Sequence, residues 1–205
     1  MSASVALELD VNAITGNQWN PKIETALLRS INKTADRART LASQDIREQV
    51  AFPASYLAPS AKRLFVSTKA TKASPFEAVI SGRDRPTSLA RFTNQKPLGG
   101  GQRHRGGQVA VTVKPGVRRY IKRAFLITLN NSNVGLAVRT DGGPPNNAYA
   151  PKEIGKNLWL LYGPSVDQVL SAASNGGGIY EEIVPETLDF LNDEFNRQLD
   201  LLNAL

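Results

Sequence analysis

One long amphipathic stretch, from Pro21 to near Val50, constrains the fold more than any other part of the chain. Asn20 and Pro21 suit the N-cap and first position of a helix, and Pro53 stops it. We therefore expect one helix of about 30 residues, far longer than the mean of about 11–12. Apolar or small residues recur at near-helical spacing along it: Ile23, Leu27, Ile31, Thr34, Ala38, Leu41, Ile46 and Val50.

Most of the remaining apolar residues occur in short runs that predict β-strands. Val134–Arg139 follows the run before it across a polar turn, so those two runs predict a hairpin. The runs are residues 5–11, 63–68, 76–80, 109–113, 124–129, 134–139 and 158–161.

Two further helices are predicted near the C-terminus. Ser165 suits the N-cap of a short helix reaching about Ser171, and Pro185 is expected to begin the last helix. The apolar stripe of that last helix consists of Leu188, Leu191, Phe195, Leu199 and Leu202. Residues 1–205 thus predict a single α+β domain, in which a long N-terminal helix and a C-terminal helix pack on an antiparallel sheet of about six to eight short strands.

Residues 81–108 form a long polar stretch, rich in Gly and Arg, without a hydrophobic period. Because loops longer than about 12–15 residues within a domain are usually functional or disordered, we interpret this stretch as a flexible basic arm or loop.

The composition excludes several classes of function. The chain has no Cys and one His, so disulfides, thiolate sites, Cys nucleophiles and multi-His metal sites are excluded. The first ten residues carry two acids and no basic segment, which argues against a secretory signal. No apolar run approaches the length of a membrane span, so we expect no membrane partner.

The candidate catalytic motifs are incomplete. Residues 101–108 have the glycine spacing of a phosphate-binding loop, but Gly107-Gln108 replaces the required Lys-Ser/Thr. His104 lies between two arginines without an orienting carboxylate, and Ser165 lacks the glycine of a nucleophile elbow. Asp189, Asp193 and Glu194 are more typical of the wet face of a helix than of a metal site. We expect neither an enzyme nor a cofactor or metal.

The charge is distributed in blocks along the chain. Residues 62–123 contain fifteen Lys and Arg against two acids, whereas residues 124–205 contain four against ten, giving net charges of +13 and −6. The basic block can face the acidic part of a neighbouring copy, a polyanion, or only solvent. The candidate contacts to a tail lumen, a neighbouring subunit or DNA are Arg83, Arg85, Arg91, Arg103, His104, Arg105, Lys114, Arg118, Arg119, Lys122 and Arg123.

Several segments, in order, resemble the phage family known as minor tail protein Z, or tail completion protein. The N-terminal helix, through residues 26–39, is similar to the opening helix of that family, and Tyr162-Gly-Pro-Ser165 resembles a turn that precedes a short helix in it. Shorter similarities lie at residues 80–83, 88–92, 111–114, 122–126 and 138–139. The N-terminal strand and the Pro-rich segment 141–150 depart from the family pattern.

The resemblance implies a structural protein of the virion of a long-tailed phage, assembled in the host cytoplasm. It implies a component of tail completion or terminator type at the head-proximal end, needed for tail maturation and head–tail joining. A homo-hexameric ring follows from the six-fold symmetry of tails, with other tail and neck proteins as partners and nonspecific contact with packaged DNA or tape-measure protein. The alternatives are a nonspecific DNA-binding accessory protein and a neck adaptor or sheath-contact protein elsewhere in the tail.

Overall fold

A computed structural model describes residues 4–8, 20–72, 76–98, 107–146, 150–172 and 179–204. It confirms the α+β class. The three α-helices are α1 (Pro21–Gln49), α2 (Val166–Ala172) and α3 (Ile179–Asn203). The described strands number eleven, more than predicted, because several are only two to four residues long and lack a hydrophobic period. They are β1 (Ser4–Glu8), β2 (Leu64–Thr68), β3 (Glu77–Gly82), β4 (Thr87–Ser88), β5 (Gln108–Val111), β6 (Arg119–Lys122), β7 (Ala124–Thr128), β8 (Val134–Arg139), β9 (Lys152–Gly155), β10 (Leu158–Leu160) and β11 (Tyr162–Gly163).

The strands form four small antiparallel sheets rather than the single sheet expected. Their orders are β1-β3-β2, β7-β8-β10-β9, β11-β4 and β5-β6. Backbone hydrogen bonds outside the ladders connect them: Leu161 N donates to Leu136 O at 2.8 Å, and Leu89 N donates to Leu161 O at 3.1 Å. The predicted hairpin at residues 124–139 is confirmed as β7 paired with β8.

The predicted long helix is confirmed as α1. The Asn20 side chain accepts a hydrogen bond from Lys22 N at 2.9 Å, as an N-cap does, and Pro21 occupies the first turn. Its buried side includes several alanines, which permit close approach of β3 and α3. The main core continues from Ile46 through Phe52 and Leu64 to the inner sides of the sheets.

The predicted cap of the short helix is also confirmed. Ser165 Oγ accepts from Gln168 N, and Gln168 Oε1 accepts from Ser165 N, both at 3.0 Å, which makes a reciprocal capping box at the start of α2.

The last helix differs from the prediction in its start and in its orientation. It begins at Ile179, and Pro185 lies inside it. Burial of Ile183 in the main core holds the turn before the proline in place despite the missing backbone donor. The buried positions of α3 are Ile183, Thr187, Leu191, Glu194 and Gln198, so the apolar stripe is displaced to one flank, with Leu188 exposed. Glu194, expected on the wet face, is buried because α1 supplies a cation to it.

Residues 81–98 correct the expectation of an arm or loop over 81–108. Ser81 and Gly82 complete β3, and Phe92 is buried in the main core. Phe92 O accepts a hydrogen bond from Thr112 N at 2.8 Å, and Gln95 Oε1 accepts from Ala110 N at 3.1 Å. The segment lacks a periodic pattern because single anchor residues, rather than a continuous face, attach it to the fold.

A candidate anion-binding face

Four arginines line one cavity, which we call the arginine pocket: Arg63, Arg83, Arg85 and Arg91. The cavity has a volume of about 490 Å³ and lies between the β3–β4 connection and the β7–β8 turn. The sequence predicted three of these arginines as contacts, and the fold brings them together although they come from different elements. Arg63 joins them because it precedes β2, which pairs with β3. A backbone hydrogen bond from Arg83 N to Arg63 O, at 2.8 Å, fixes the two positions side by side.

Tyr56 supports two of the guanidinium groups. The guanidinium carbons of Arg63 and Arg91 lie 4.1 and 5.0 Å from the centroid of its ring. These are cation–π distances. The ring is itself fixed, since Tyr56 is buried, stacks on Phe52 with centroids 5.3 Å apart, and exchanges a hydrogen bond with Thr87. The pocket is therefore partly organised before any ligand binds.

Two neighbouring cavities extend this basic face. Arg91 also lines a cavity of about 410 Å³, together with Arg118. Tyr162 separates the arginine pocket from a groove of about 710 Å³ whose lining includes Lys114, Arg119 and Lys122. Among the described residues, no Asp or Glu lines any of the three cavities.

The remaining predicted contacts either pair with a side chain of the same chain or lie outside the described residues. Arg118 lies over the exposed ring of Tyr120, with 5.6 Å between its guanidinium carbon and the ring centroid. Arg123 donates to Asp141 Oδ2 at 2.8 Å, so an acid within the chain already partners it. Arg103, His104 and Arg105 lie outside the described residues.

The sequence patterns do not identify Arg63 and Tyr56 as residues of the site. Arg63 falls within a predicted strand, and Tyr56 lies in a segment without a periodic pattern. A signal was present in the sequence, because the charge block begins at Lys62 and Arg63 rather than at the arginines of residues 81–108.

Several acidic side chains of the C-terminal block lie along α3, whereas Asp141, Glu153 and Asp167 lie elsewhere in the fold. Asp189, Asp193 and Asp200 are exposed, and Glu186 pairs with Arg37 of α1 at 2.5 Å. α3 runs antiparallel to α1, because Lys22 near the start of α1 donates to Leu202 O at 2.7 Å. The basic face lies at the opposite end of α1, where Ala51 N donates to Val113 O at 2.8 Å.

The rest of the described chain offers little other chemistry. Within the described ranges, no three His, Asp or Glu side chains cluster as metal ligands. None of the helices in those ranges is both long enough and apolar enough to cross a bilayer. The chain matches no protein-family model, no curated protein and no solved structure.

Proposed function

We propose that this protein is a structural component of the tail of a long-tailed phage, of the tail completion or terminator type, that acts as a ring of identical copies. The resemblance in sequence supplies the location in the virion. One structural observation supports the ring: the basic groove lies beside the C-terminal end of α1, whereas the acidic side chains of α3 extend from the middle of α1, where Glu186 pairs with Arg37, to its N-terminal end.

The basic groove and the acidic side chains are separated along α1 by part of its length, since Glu186 lies beside Arg37 in the middle of the helix. α1 has 29 residues and is therefore about 43 Å long at 1.5 Å per residue. Val113 lies beside its C-terminal end and Leu202 beside its N-terminal end. A molecule with opposite charges on separate parts of its surface favours head-to-tail contacts, which close into a ring when the rotation between copies permits.

Apolar side chains accompany the charge at both ends. Leu188 and Leu201, on α3, are 47% and 49% exposed, and Val117 and Tyr120, beside the basic groove, are 41% and 57% exposed. Exposed apolar residues among charged ones are typical of interfaces between proteins. A contact between the two ends would bury both sets.

A charge-exchange experiment tests the ring. One variant carries Arg118→Glu, Arg119→Glu and Lys122→Glu, and the other carries Asp189→Lys, Asp193→Lys and Asp200→Lys. In each variant the three substituted side chains have the same sign as the side chains proposed to face them on the next copy, so we expect it to remain monomeric under conditions in which the wild type self-associates. An equimolar mixture restores opposite signs at every contact and should assemble with the two variants alternating. Native mass spectrometry at moderate salt measures all three.

A matched control replaces Lys152 and Lys156 by Glu, since both are exposed and line none of the three basic cavities. It should assemble like the wild type. A wild type that stays monomeric at high concentration and on isolated tails, or a mixture that stays as monomeric as its components, contradicts the ring.

A phage that lacks this chain tests the location. Without complementation, electron microscopy should show tails that are not joined to heads, and supplying the wild-type chain should restore joined particles. Finished, infectious particles in the absence of the chain would contradict a role in tail completion, and a defect elsewhere in the neck or sheath would favour the adaptor alternative.

The arginine pocket favours one other candidate, a nonspecific DNA-binding accessory protein. This alternative predicts a protein that stays monomeric, forms no rings and binds duplex DNA with an affinity that falls steeply as salt increases.

A further inference from the structure

We propose that the arginine pocket is a binding site for phosphate groups. Phosphodiesters of a nucleic-acid backbone and small phosphate compounds share the chemistry that it recognises. Phosphate binding by the isolated chain does not depend on the tail function; only the identification of packaged DNA as the natural ligand rests on it.

The first argument is the uncompensated charge. Four guanidinium groups remain charged at any physiological pH and repel one another when gathered around one cavity. The nearest acid in sequence, Asp84, is exposed and is not among the lining residues. A bound anion removes this repulsion.

The second argument is a donor without an acceptor. Nε of Arg63 is buried and makes no hydrogen bond within the described part of the chain. One of its terminal nitrogens, Nη1, donates to Tyr56 O at 3.3 Å, which orients the group. Nε has almost no accessible surface, so an anion in the cavity supplies the missing acceptor when the Arg63 side chain turns toward it.

The third argument is the arrangement of the donors. Guanidinium groups from the β3–β4 connection and from beside Tyr56 share the cavity with hydroxyl and amide groups of the β7–β8 turn, including Ser132, Asn131 and Asn133. Donors therefore come from several separate parts of the chain. A tetrahedral phosphate accepts hydrogen bonds from all directions and pairs with guanidinium in bidentate fashion. A planar carboxylate accepts mainly in its own plane, so an acidic peptide uses this arrangement less completely.

In the proposed tail, the pocket would hold packaged DNA by its backbone, without reading its sequence. Contacts to the phosphate backbone carry no sequence information directly, so we expect binding not to depend on sequence.

The experiment compares two double variants of the full chain. Arg83→Gln with Arg85→Gln removes two charges from the arginine pocket, whereas Lys114→Gln with Lys122→Gln removes two from the neighbouring groove. Fluorescence anisotropy measures binding of labelled duplex and single-stranded DNA between about 50 and 200 mM salt. Calorimetry with pyrophosphate tests a small phosphate, and polyglutamate is the carboxylate competitor.

We expect the arginine double variant to bind duplex DNA at least about tenfold more weakly and to lose about two units of salt slope. Arg83→Lys with Arg85→Lys should recover the salt slope but only part of the affinity, since lysine lacks the bidentate geometry. The groove variant should lose less affinity. If the protein binds DNA but not pyrophosphate, the site recognises the backbone of a nucleic acid. If it binds pyrophosphate but not DNA, the site recognises a small phosphate compound.

Three results overturn the proposal: no binding of either probe, equal losses in both double variants, or displacement by polyglutamate as effective as by DNA. Native mass spectrometry of the arginine variant separates this question from the ring. A variant that forms rings without binding phosphate separates the phosphate site from the ring contact. A variant that binds phosphate like the wild type but forms no rings assigns these two arginines to the ring contact and contradicts the phosphate site.

Discussion

Nζ of Lys33, on α1, lies 2.8 Å from Oε2 of Glu194, on α3, and the Glu194 side chain is only 4% exposed. Arg197 and Gln198 donate to its other oxygen at 2.6 and 2.7 Å. Moving a carboxylate out of water carries a desolvation free energy, and these donors offset it only because they bind both of its oxygens. The contact between the two long helices therefore includes a satisfied buried charge.

Glu194→Gln should destabilise the fold by about 2 kcal/mol, because it keeps the shape but removes the charge from the four hydrogen bonds that the carboxylate accepts. Chemical denaturation at neutral pH measures the change. The control is Asp193→Asn, an exposed neighbour, which should stay within about 0.5 kcal/mol of the wild type. Equal effects in both variants would show that the helix contact does not depend on the buried carboxylate.

Stability should fall in acid through the same residue. The hydrogen bond from Arg197 is the main reason that the pKa of Glu194 is lowered to about 2, with Lys33 and Gln198 acting in the same direction and burial opposing them. Since the folded pKa lies below the unfolded value of about 4.3, the contribution is fully present above about pH 4.3 and is lost as the pH falls toward 2. Denaturation midpoints of the wild type and Glu194→Gln should converge over this window; a constant difference would contradict the lowered pKa.

Gly82 is required where β3 meets α2. A Cβ atom there would lie 2.8 Å from both Cα and N of Asp167, and that backbone N donates to Arg83 O at 3.1 Å. Gly82→Ala should cost about 1–3 kcal/mol, since backbone must move to make room. Gly142→Ala is the matched control, because nothing lies within 4 Å of its Cβ position. A thermal melt distinguishes them, and a stable Gly82→Ala protein would show that α2 can shift away from β3.

Two threonines between α1 and α3 should be replaceable by valine with a gain in stability. Thr34 Oγ1 and Thr187 Oγ1 are buried without a hydrogen-bond partner in the described part of the chain, and both line an apolar cavity of about 50 Å³. Removing both hydroxyls should stabilise the fold by about 1 kcal/mol, because each hydroxyl loses its hydration on folding and gains no hydrogen bond. Thr40→Val is the control, since Thr40 is exposed and donates to Asp36 O at 2.9 Å. A loss of stability in the Thr34 and Thr187 variant would reveal a bridging water.

The sequence alone was sufficient to predict elements that depend on interactions between neighbouring residues. The N-caps at Asn20 and Ser165 depend on side chains within three residues, and both formed as predicted, whereas the reciprocal bond to Gln168 was not predicted. The orientation of α3 could not be predicted this way, because its buried face includes Glu194 and Gln198. Their burial depends on Lys33, which is 161 residues away in sequence from Glu194.

The distinction between local and long-range causes applies to the arginine pocket as well. The charge block identified Arg83, Arg85 and Arg91, but not that they converge with Arg63 around one cavity. That convergence follows from the pairing of β2 with β3 and from the position of Tyr56, neither of which leaves a periodic signal. Charge patterning thus located the face, and only the fold defined the pocket.

The antiparallel contact of α1 and α3 also imposes an order on synthesis. α1 is translated before α3, and the contact between Lys22 and Leu202 spans 180 residues. A chain that stops before α3 leaves the buried, alanine-bearing side of α1 uncovered and lacks the acidic side chains that the proposed ring requires.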